Sequence, residues 1–245
     1  MSDEHDPFTD TSIAVRKTVA LPADQIKRAV RLGSATLHEA CGRIGALPSS
    51  IKPTAASFRL AGPAFTVHCP PNDNLWIHRA IKAASPGDIL VVYASGHYEA
   101  GYWGEVMSTA GMVARLGGLV IDAGVRDGAL LEEVGFPVFS RGLCIRGTGK
   151  DFGATGWLNK PVLMGDIFVS PGDLIVGDID GVVSIPNERI SEVLLAAEKR
   201  EAAEREILTR LRAGESTLQV FGLDRCERRS KSDTKRRRVF SGNDF

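Results

Sequence analysis

Two adjacent residues, Arg126 and Asp127, carry the densest chemistry in this 245-residue chain. They close the stretch 103–127, WGEVMSTAGMVARLGGLVIDAGVRD, in a turn that also holds Gly124. A guanidinium presents a planar fork of donors to a carboxylate or an enolate oxygen. A carboxylate is a hard oxygen ligand of the kind that suits Mg²⁺ or Mn²⁺. At the head of the same stretch, Gly104 precedes a helical pattern. The N–H groups of Gly104, Glu105, Val106 and Met107 there offer an anion a cradle that the helix dipole favours. These features point to metal-assisted work on a small anionic substrate. The competing reading is structural, because a strand-to-helix turn also suits a surface ion pair or an aspartate that caps the next helix.

The elements that must position these residues follow from hydrophobic pattern. Segments 88–94 (DILVVYA) and 118–122 (GLVID) are almost wholly apolar, as strands buried on both faces are. A helix from 104, a short helix over 127–134 and a third strand over 136–140 complete a strand–helix–strand–helix–strand unit with parallel pairing. Loops after the carboxyl ends of parallel strands are where α/β proteins place their sites. Both 95–104 and the turn at 126–127 are such loops, so both converge on one sheet edge.

Around this unit, Pro22 opens a helix over 22–32 that Gly33 stops, and Ser34 is placed to cap a second helix ending at Gly42 or Gly45. Segment 57–69 reads as a strand bent at Gly62-Pro63. Asp73 or Asn74 caps the helix that follows. Residues 141–161 are glycine-rich and aperiodic. Beyond them, short apolar runs at 162–164, 167–169, 174–176 and 182–185 have the spacing of a β meander or small barrel. The motif Ser-Pro-Gly-Asp occurs at 85–88 and again at 170–173. With Pro and Gly at the central positions it reads as a type II turn used twice, not a duplication. Pro186 opens a last helix reaching about Ala213. Its apolar positions thin out after 198, which suits packing on another subunit.

Composition narrows the function. Lys plus Arg and Asp plus Glu both number 30. Segment 225–238 holds eight of the basic residues, and without it 22 basic face 28 acidic residues. A mildly acidic body argues against nucleic-acid binding. The four cysteines have no metal-ligand or paired spacing, and no run is long and apolar enough for a membrane span. A reducing cytoplasm is the expected location. His97, in the polar loop 95–104, is a candidate acid/base or a solvated loop histidine. His38, His68 and His78 read as structural. Gly147–Gly149 with Lys150 lacks the full GxxxxGK[ST] pattern of a phosphate loop. The Asp178, Asp180 and Gly181 segment reads as a hairpin turn.

The motifs RLAGPAFTV (59–67), PNDNLWIHRAI (71–81), SPGDILVV (85–92), WGEVMSTAG (103–111), GLVIDAGVRD (118–127), GFPVF (135–139) and PGDLIVGDIDGVVSIP (171–186) together resemble the RraA-like family. That family includes divalent-metal-dependent 4-hydroxy-4-methyl-2-oxoglutarate / 4-carboxy-4-hydroxy-2-oxoadipate aldolases and the regulator of ribonuclease activity A. The resemblance implies an α/β fold, a swivelling β/β/α-type sandwich with a small barrel-like core and a long C-terminal helix. It implies a class II aldolase cleaving a 4-hydroxy-2-oxo dicarboxylate to pyruvate and a second oxo acid, with oxaloacetate decarboxylation as a side activity. The alternative it carries is a non-catalytic regulator of a ribonuclease or helicase. Asp127 then matches the metal ligand for Mg²⁺ or Mn²⁺, and Arg126 the arginine on the keto and carboxylate oxygens. Gly104, Glu105, Val106 and Met107 match the substrate-carboxylate loop. A glutamate from a neighbouring subunit's last helix, Glu204 or else Glu201, would close the site, and either Glu105 or Glu204 would orient water. A homotrimer or hexamer is expected. Residues 1–20 are expected to form an arm, 21–215 a single catalytic domain and 216–245 a basic, disordered tail. The family's early aspartate is replaced here by His38-Glu39.

Overall fold

The computed structural model describes residues 20–223. Nearly all of the expected arm, and the tail beyond 223, lie outside the described residues. By internal packing the chain divides into two units, Met1–Glu201 and Ala202–Phe245. In chain order the first unit contains α1 (Ala23–Leu32), α2 (Ser34–Ala40), β1 (Lys52–Pro53), β2 (Leu60–His68), α3 (Leu75–Ala83), β3 (Ile89–Tyr93), α4 (Glu105–Val113), β4 (Gly118–Ile121), α5 (Gly128–Val134) and β5 (Val138–Ser140). It continues with β6 (Trp157–Leu158), β7 (Val162–Met164), β8 (Ile167–Val169), β9 (Leu174–Asp178), β10 (Gly181–Ile185) and the start of α6 (Ile190–Arg212).

The main sheet runs β1-β5-β4-β3-β2-β9-β10, with β6 paired to β2 and a separate β7-β8 hairpin. Strands β2 to β5 are parallel neighbours, which makes β3-α4-β4-α5-β5 the expected α/β unit. Strand β2 pairs antiparallel with β9 through Leu60–Pro63 and parallel with β3 through Ala64–His68. The Gly62-Pro63 step falls where one pairing gives way to the other. A Cβ at Gly62 would lie 2.5 Å from the Gly87 carbonyl, so the close approach of the neighbouring turn requires glycine there. The sheet curls toward closure. Lys52 of β1 donates to the carbonyl of Asp180 in the β9–β10 turn, and residues 45–47 exchange hydrogen bonds with β10. The result is mixed α/β with a nearly closed, barrel-like sheet.

Period-two alternation sends β3 side chains to two cores. Leu90 and Val92 join Phe65, Leu119, Ile121, Trp103 and Phe136 under the helices, while Ile89 and Val91 join Val120, Phe139 and Ile175 on the opposite face. A third core packs α1, α2 and α6 on β9 and β10. There α6 buries Ile190, Val193, Leu194 and Ala197, the spacing of one helical face.

The two Ser-Pro-Gly-Asp turns match in detail. Gly87 and Gly172 both have φ 88°. Asp88 Oδ2 accepts the Ser85 N–H and Asp173 Oδ2 the Ser170 N–H, each at 2.8 Å. One launches a parallel strand and the other an antiparallel one, as a reused turn would.

Two expectations are corrected. Ser34 does not cap α2 from outside. It is the first helical residue, and its N–H and hydroxyl both donate to the buried Asp178 carboxylate at 2.7 and 2.6 Å. In the second unit, ordered structure extends past 215. There α7 (Thr217–Val220) is held by a capping box between Ser216 and Gln219, and Arg210 pairs with Glu215 at 2.6 Å.

Candidate active site

A cleft of about 180 Å³ lies at the carboxyl end of the parallel strands. One wall is the turn after β4 and the N-terminus of α4. Here the loop before α4 and the turn after β4 interlock through backbone bonds. The Tyr102 N–H donates to the Gly124 carbonyl at 3.1 Å and the Arg126 N–H to the Trp103 carbonyl at 2.9 Å. Trp103 anchors this loop. It is buried, donates from Nε1 to Ser108 Oγ at 2.6 Å and stacks on Phe136.

Asp127 occupies the position before α5, but its side chain makes no capping bond to that helix. Its backbone is left-handed, with φ 63° and ψ 37°, a conformation that costs a non-glycine residue about 1 kcal/mol or more. The carboxylate turns to the cleft instead. Oδ2 accepts the Glu105 N–H at 3.2 Å and lies 3.7 Å from Arg126 Nε. The capping alternative for Asp127 is therefore set aside by the geometry. Gly104 makes the approach possible, since a Cβ there would lie 2.3 Å from Asp127 Oδ2. The N–H groups of Val106 and Met107 precede the first helical bond, made by Ser108 to Gly104, so the helix gives them no acceptor.

A second part of the lining comes from α3 and the glycine-rich segment. Asn74 and His78, four residues apart, share one helical face and both line the cleft, as does Lys150. Asn74 ties the two parts together by donating from Nδ2 to the Tyr102 carbonyl at 2.9 Å, and its buried Oδ1 has no partner among the described residues. Asp73 fixes the rest. Its Oδ1 accepts the Leu75 N–H at 2.8 Å, and its Oδ2 accepts the Asp151 N–H. Gly149 N–H donates to the Asn72 carbonyl at 2.8 Å, so Lys150 is held by bonds to both of its neighbours. Burial lowers the His78 pKa below its usual value, Lys150 adds to that, and Asp73 opposes it. Burial pushes the Tyr102 phenol up to about 12, and its oxygen accepts the Asn72 N–H at 2.7 Å.

Of the residues predicted from sequence, Gly104, Val106, Met107, Arg126 and Asp127 come together in this cleft. The Glu105 N–H is already engaged by Asp127, and its side chain is exposed and outside the cleft lining. Glu201 pairs with Arg31 at 2.5 Å, and Glu204 belongs to the second unit. His97 packs edge-on to Tyr102, outside the lining. His68 is structural as expected, stacked on Trp157 at 3.6 Å. His78, also read as structural, lines the cleft. Asn74 and Lys150 were missed as well. The Asn74/His78 spacing on a helix was the available signal; Lys150 offered only a bare lysine after a glycine run.

The donor set suits a hard divalent cation. Asp127 is a partly exposed carboxylate whose two contacts both fall on Oδ2. Among the described residues no three His, Cys, Asp or Glu side chains gather. An ion here would take one protein carboxylate and complete its shell with water and ligand oxygens, as Mg²⁺ commonly does.

Fold and sequence together define the class. The Aldolase/RraA family model, RraA-like, matches residues 24–184, and the chain belongs to that family. It is 36% identical over 156 residues to a Halalkalibacterium halodurans protein provisionally named a 4-hydroxy-4-methyl-2-oxoglutarate aldolase, covering 64% of this chain and 73% of that one. An uncharacterised Methanocaldococcus jannaschii protein is 34% identical over 183 residues, covering 74% and 87%. Among solved structures, an uncharacterised Pseudomonas syringae pv. tomato protein superposes with a TM-score of 0.74 at 26% identity, covering 85% and 97%. Streptomyces coelicolor RraAS2, described as an unusual member of the RNase ES inhibitor RraA family, shares the fold with a TM-score of 0.67 at 24% identity, covering 76% and 96%.

Proposed function

We propose that this protein is a divalent-metal-dependent aldolase that cleaves a 4-hydroxy-2-oxo dicarboxylate into pyruvate and a second oxo acid. The observation that carries the reading is the convergence of Arg126, Asp127 and the open amides of α4 on one cleft. The relative provisionally named an aldolase supports it.

The Val106 and Met107 amides bind the carboxylate next to the keto group, with the α4 dipole favouring the negative charge. Arg126 donates to the keto oxygen. As the C3–C4 bond breaks, its electron pair moves onto the C2 oxygen to give the pyruvate enolate, which the guanidinium stabilises. The C4 hydroxyl loses its proton and becomes the carbonyl of the second product, and a proton delivered to C3 completes pyruvate. Asp127 would hold Mg²⁺ or Mn²⁺, which when bound supplies Lewis-acid polarisation of the substrate oxygens. Loss of CO₂ from oxaloacetate reaches the same enolate, so oxaloacetate decarboxylation is an expected side activity.

A lactate dehydrogenase-coupled assay for pyruvate, run on oxaloacetate with Mg²⁺ and then with EDTA, tests this. Metal-dependent release is expected. Silence on both oxaloacetate and 4-hydroxy-4-methyl-2-oxoglutarate, with a ribonuclease co-purifying, would favour a regulator of the RraA type instead.

A further inference from the structure

A second cavity, of about 260 Å³, is lined by the 98–99 loop, Gly124 and the 141–144 segment that follows β5, and it shares no lining residue with the cleft. Backbone bonds build it in advance of any ligand. The Gly124 N–H donates to the Tyr98 carbonyl and the Arg141 N–H to the Ala123 carbonyl, both at 3.0 Å, and the Cys144 N–H donates to the Val125 carbonyl at 2.7 Å. A Cβ at Gly124 would lie 2.8 Å from Cys144 Cβ, so these segments meet without slack.

Arg141 is the group to explain. Its Nε donates to Asp122 Oδ1 at 2.6 Å, and its Cζ lies 3.9 Å from the centroid of the Tyr98 ring. Neutralising the buried Asp122 accounts for the charge of Arg141, yet it engages one of five N–H donors. The terminal nitrogens Nη1 and Nη2 have no acceptor among the described residues, although only 24% of the side chain is exposed. A guanidinium held by a carboxylate and a ring, with its two-pronged edge unused, is pre-organised for a carboxylate. The same lining holds Glu99, exposed and without an ion pair among the described residues.

Charge decides which ligand fits. Asp122 and Arg141 sum to zero, so Glu99 sets the net charge of the cavity. A simple anion would gain the guanidinium edge and be repelled by Glu99, and a simple cation would meet the reverse. A ligand carrying both a carboxylate and an ammonium group satisfies the two together. Tyr98 and Leu143 offer it apolar surface. The volume falls below the roughly 300–1,000 Å³ of pockets for drug-sized ligands, which limits the occupant to a small metabolite.

We infer that this cavity binds a small free amino acid, with its carboxylate on the Nη1 and Nη2 edge of Arg141 and its ammonium group on Glu99. The inference does not depend on the aldolase reading.

The test is calorimetric titration of the full-length protein with the twenty common L-amino acids, β-alanine and γ-aminobutyrate. At least one should bind at millimolar concentration or below. Its N-acetyl and amide derivatives, which lack the ammonium and the carboxylate charge respectively, should each bind about tenfold or more weakly, the scale of one lost charge-assisted bond. Glu99→Gln should weaken the amino acid by a similar factor and leave the N-acetyl derivative unaffected. Arg141→Lys keeps a positive charge beside Asp122 and removes the fork, so it should weaken the amino acid and the N-acetyl derivative alike. Should Arg141→Lys fail to fold, Glu99→Gln, altered at an exposed side chain, still decides the matter. Arg126→Ala should leave amino-acid binding unchanged. Absence of binding across the whole panel overturns the site. So does binding that survives Glu99→Gln and is lost in Arg126→Ala, which would place the ligand in the cleft.

Discussion

On the Arg126–Asp127 side of the cleft, the proposed chemistry sits in one turn of the chain, braced by the loop immediately before α4. The Asn74–His78–Lys150 side is gathered from segments more than seventy residues apart and held by the two oxygens of Asp73. The near side is fixed by local backbone geometry, and its chemistry is written in adjacent letters. The far side depends on a clamp, so it can be loosened without touching a residue that meets substrate. The near side should therefore fail in turnover and the far side in affinity.

The largest effect should come from Arg126→Ala, with kcat lowered at least about 100-fold, as for loss of an oxyanion donor. Asp127→Ala should abolish the Mg²⁺ dependence with it. If both variants release pyruvate at the wild-type rate, the near wall has no catalytic part. Next comes Gly104→Ala. Its Cβ would fall 2.3 Å from Asp127 Oδ2, so the carboxylate or the start of α4 must shift. Displacement of about 1 Å in a site costs up to about 100-fold. An unchanged kcat would mean that the cradle tolerates movement.

Asp73→Ala probes the other wall. It strips acceptors from the Leu75 and Asp151 amides, at a cost of about 1–3 kcal/mol in denaturant unfolding. Its kinetic signature should be a higher KM for the diacid with kcat largely kept. A drop confined to kcat would erase the contrast between the walls.

The smallest effect lies away from the cleft, at His68. Burial lowers its folded pKa below 6.5, so the unfolded chain takes up the proton first as pH falls. The stability this residue contributes is full above about pH 6.5 and is lost as pH drops through the folded value. His68→Phe keeps a ring against Trp157 and removes the titration. Its melting temperature should fall less than that of wild type between about pH 7.5 and 5.5. An identical fall would assign the acid sensitivity to other groups, with His78, shifted in the same direction, the next to replace.

The near wall was legible because Arg126, Asp127 and the Gly104 helix start lie on one strand–helix–strand unit whose apolar runs are unambiguous. The parallel strands, the paired Ser-Pro-Gly-Asp turns and the long last helix were legible for the same reason, since local pattern dictates each. The far wall was not. Lys150 follows a glycine run with no period, and only the pairing of Gly149 with the 72–74 segment brings it to His78. Ser34 misled because its capping chemistry is met by Asp178, 144 positions away. Asp127 does not take the competing capping role because its left-handed backbone aims the carboxylate at another helix.

That last contact ties two parts of the site to one atom. Because Asp127 Oδ2 holds the first amide of α4, the residue proposed to carry the ion also sets the origin from which the anion cradle is measured. Ion and cradle share a datum and cannot drift apart independently. Asp127→Glu, though it keeps the charge, should therefore misalign both at once, and restoring one alone by a change in α4 should leave the other out of true.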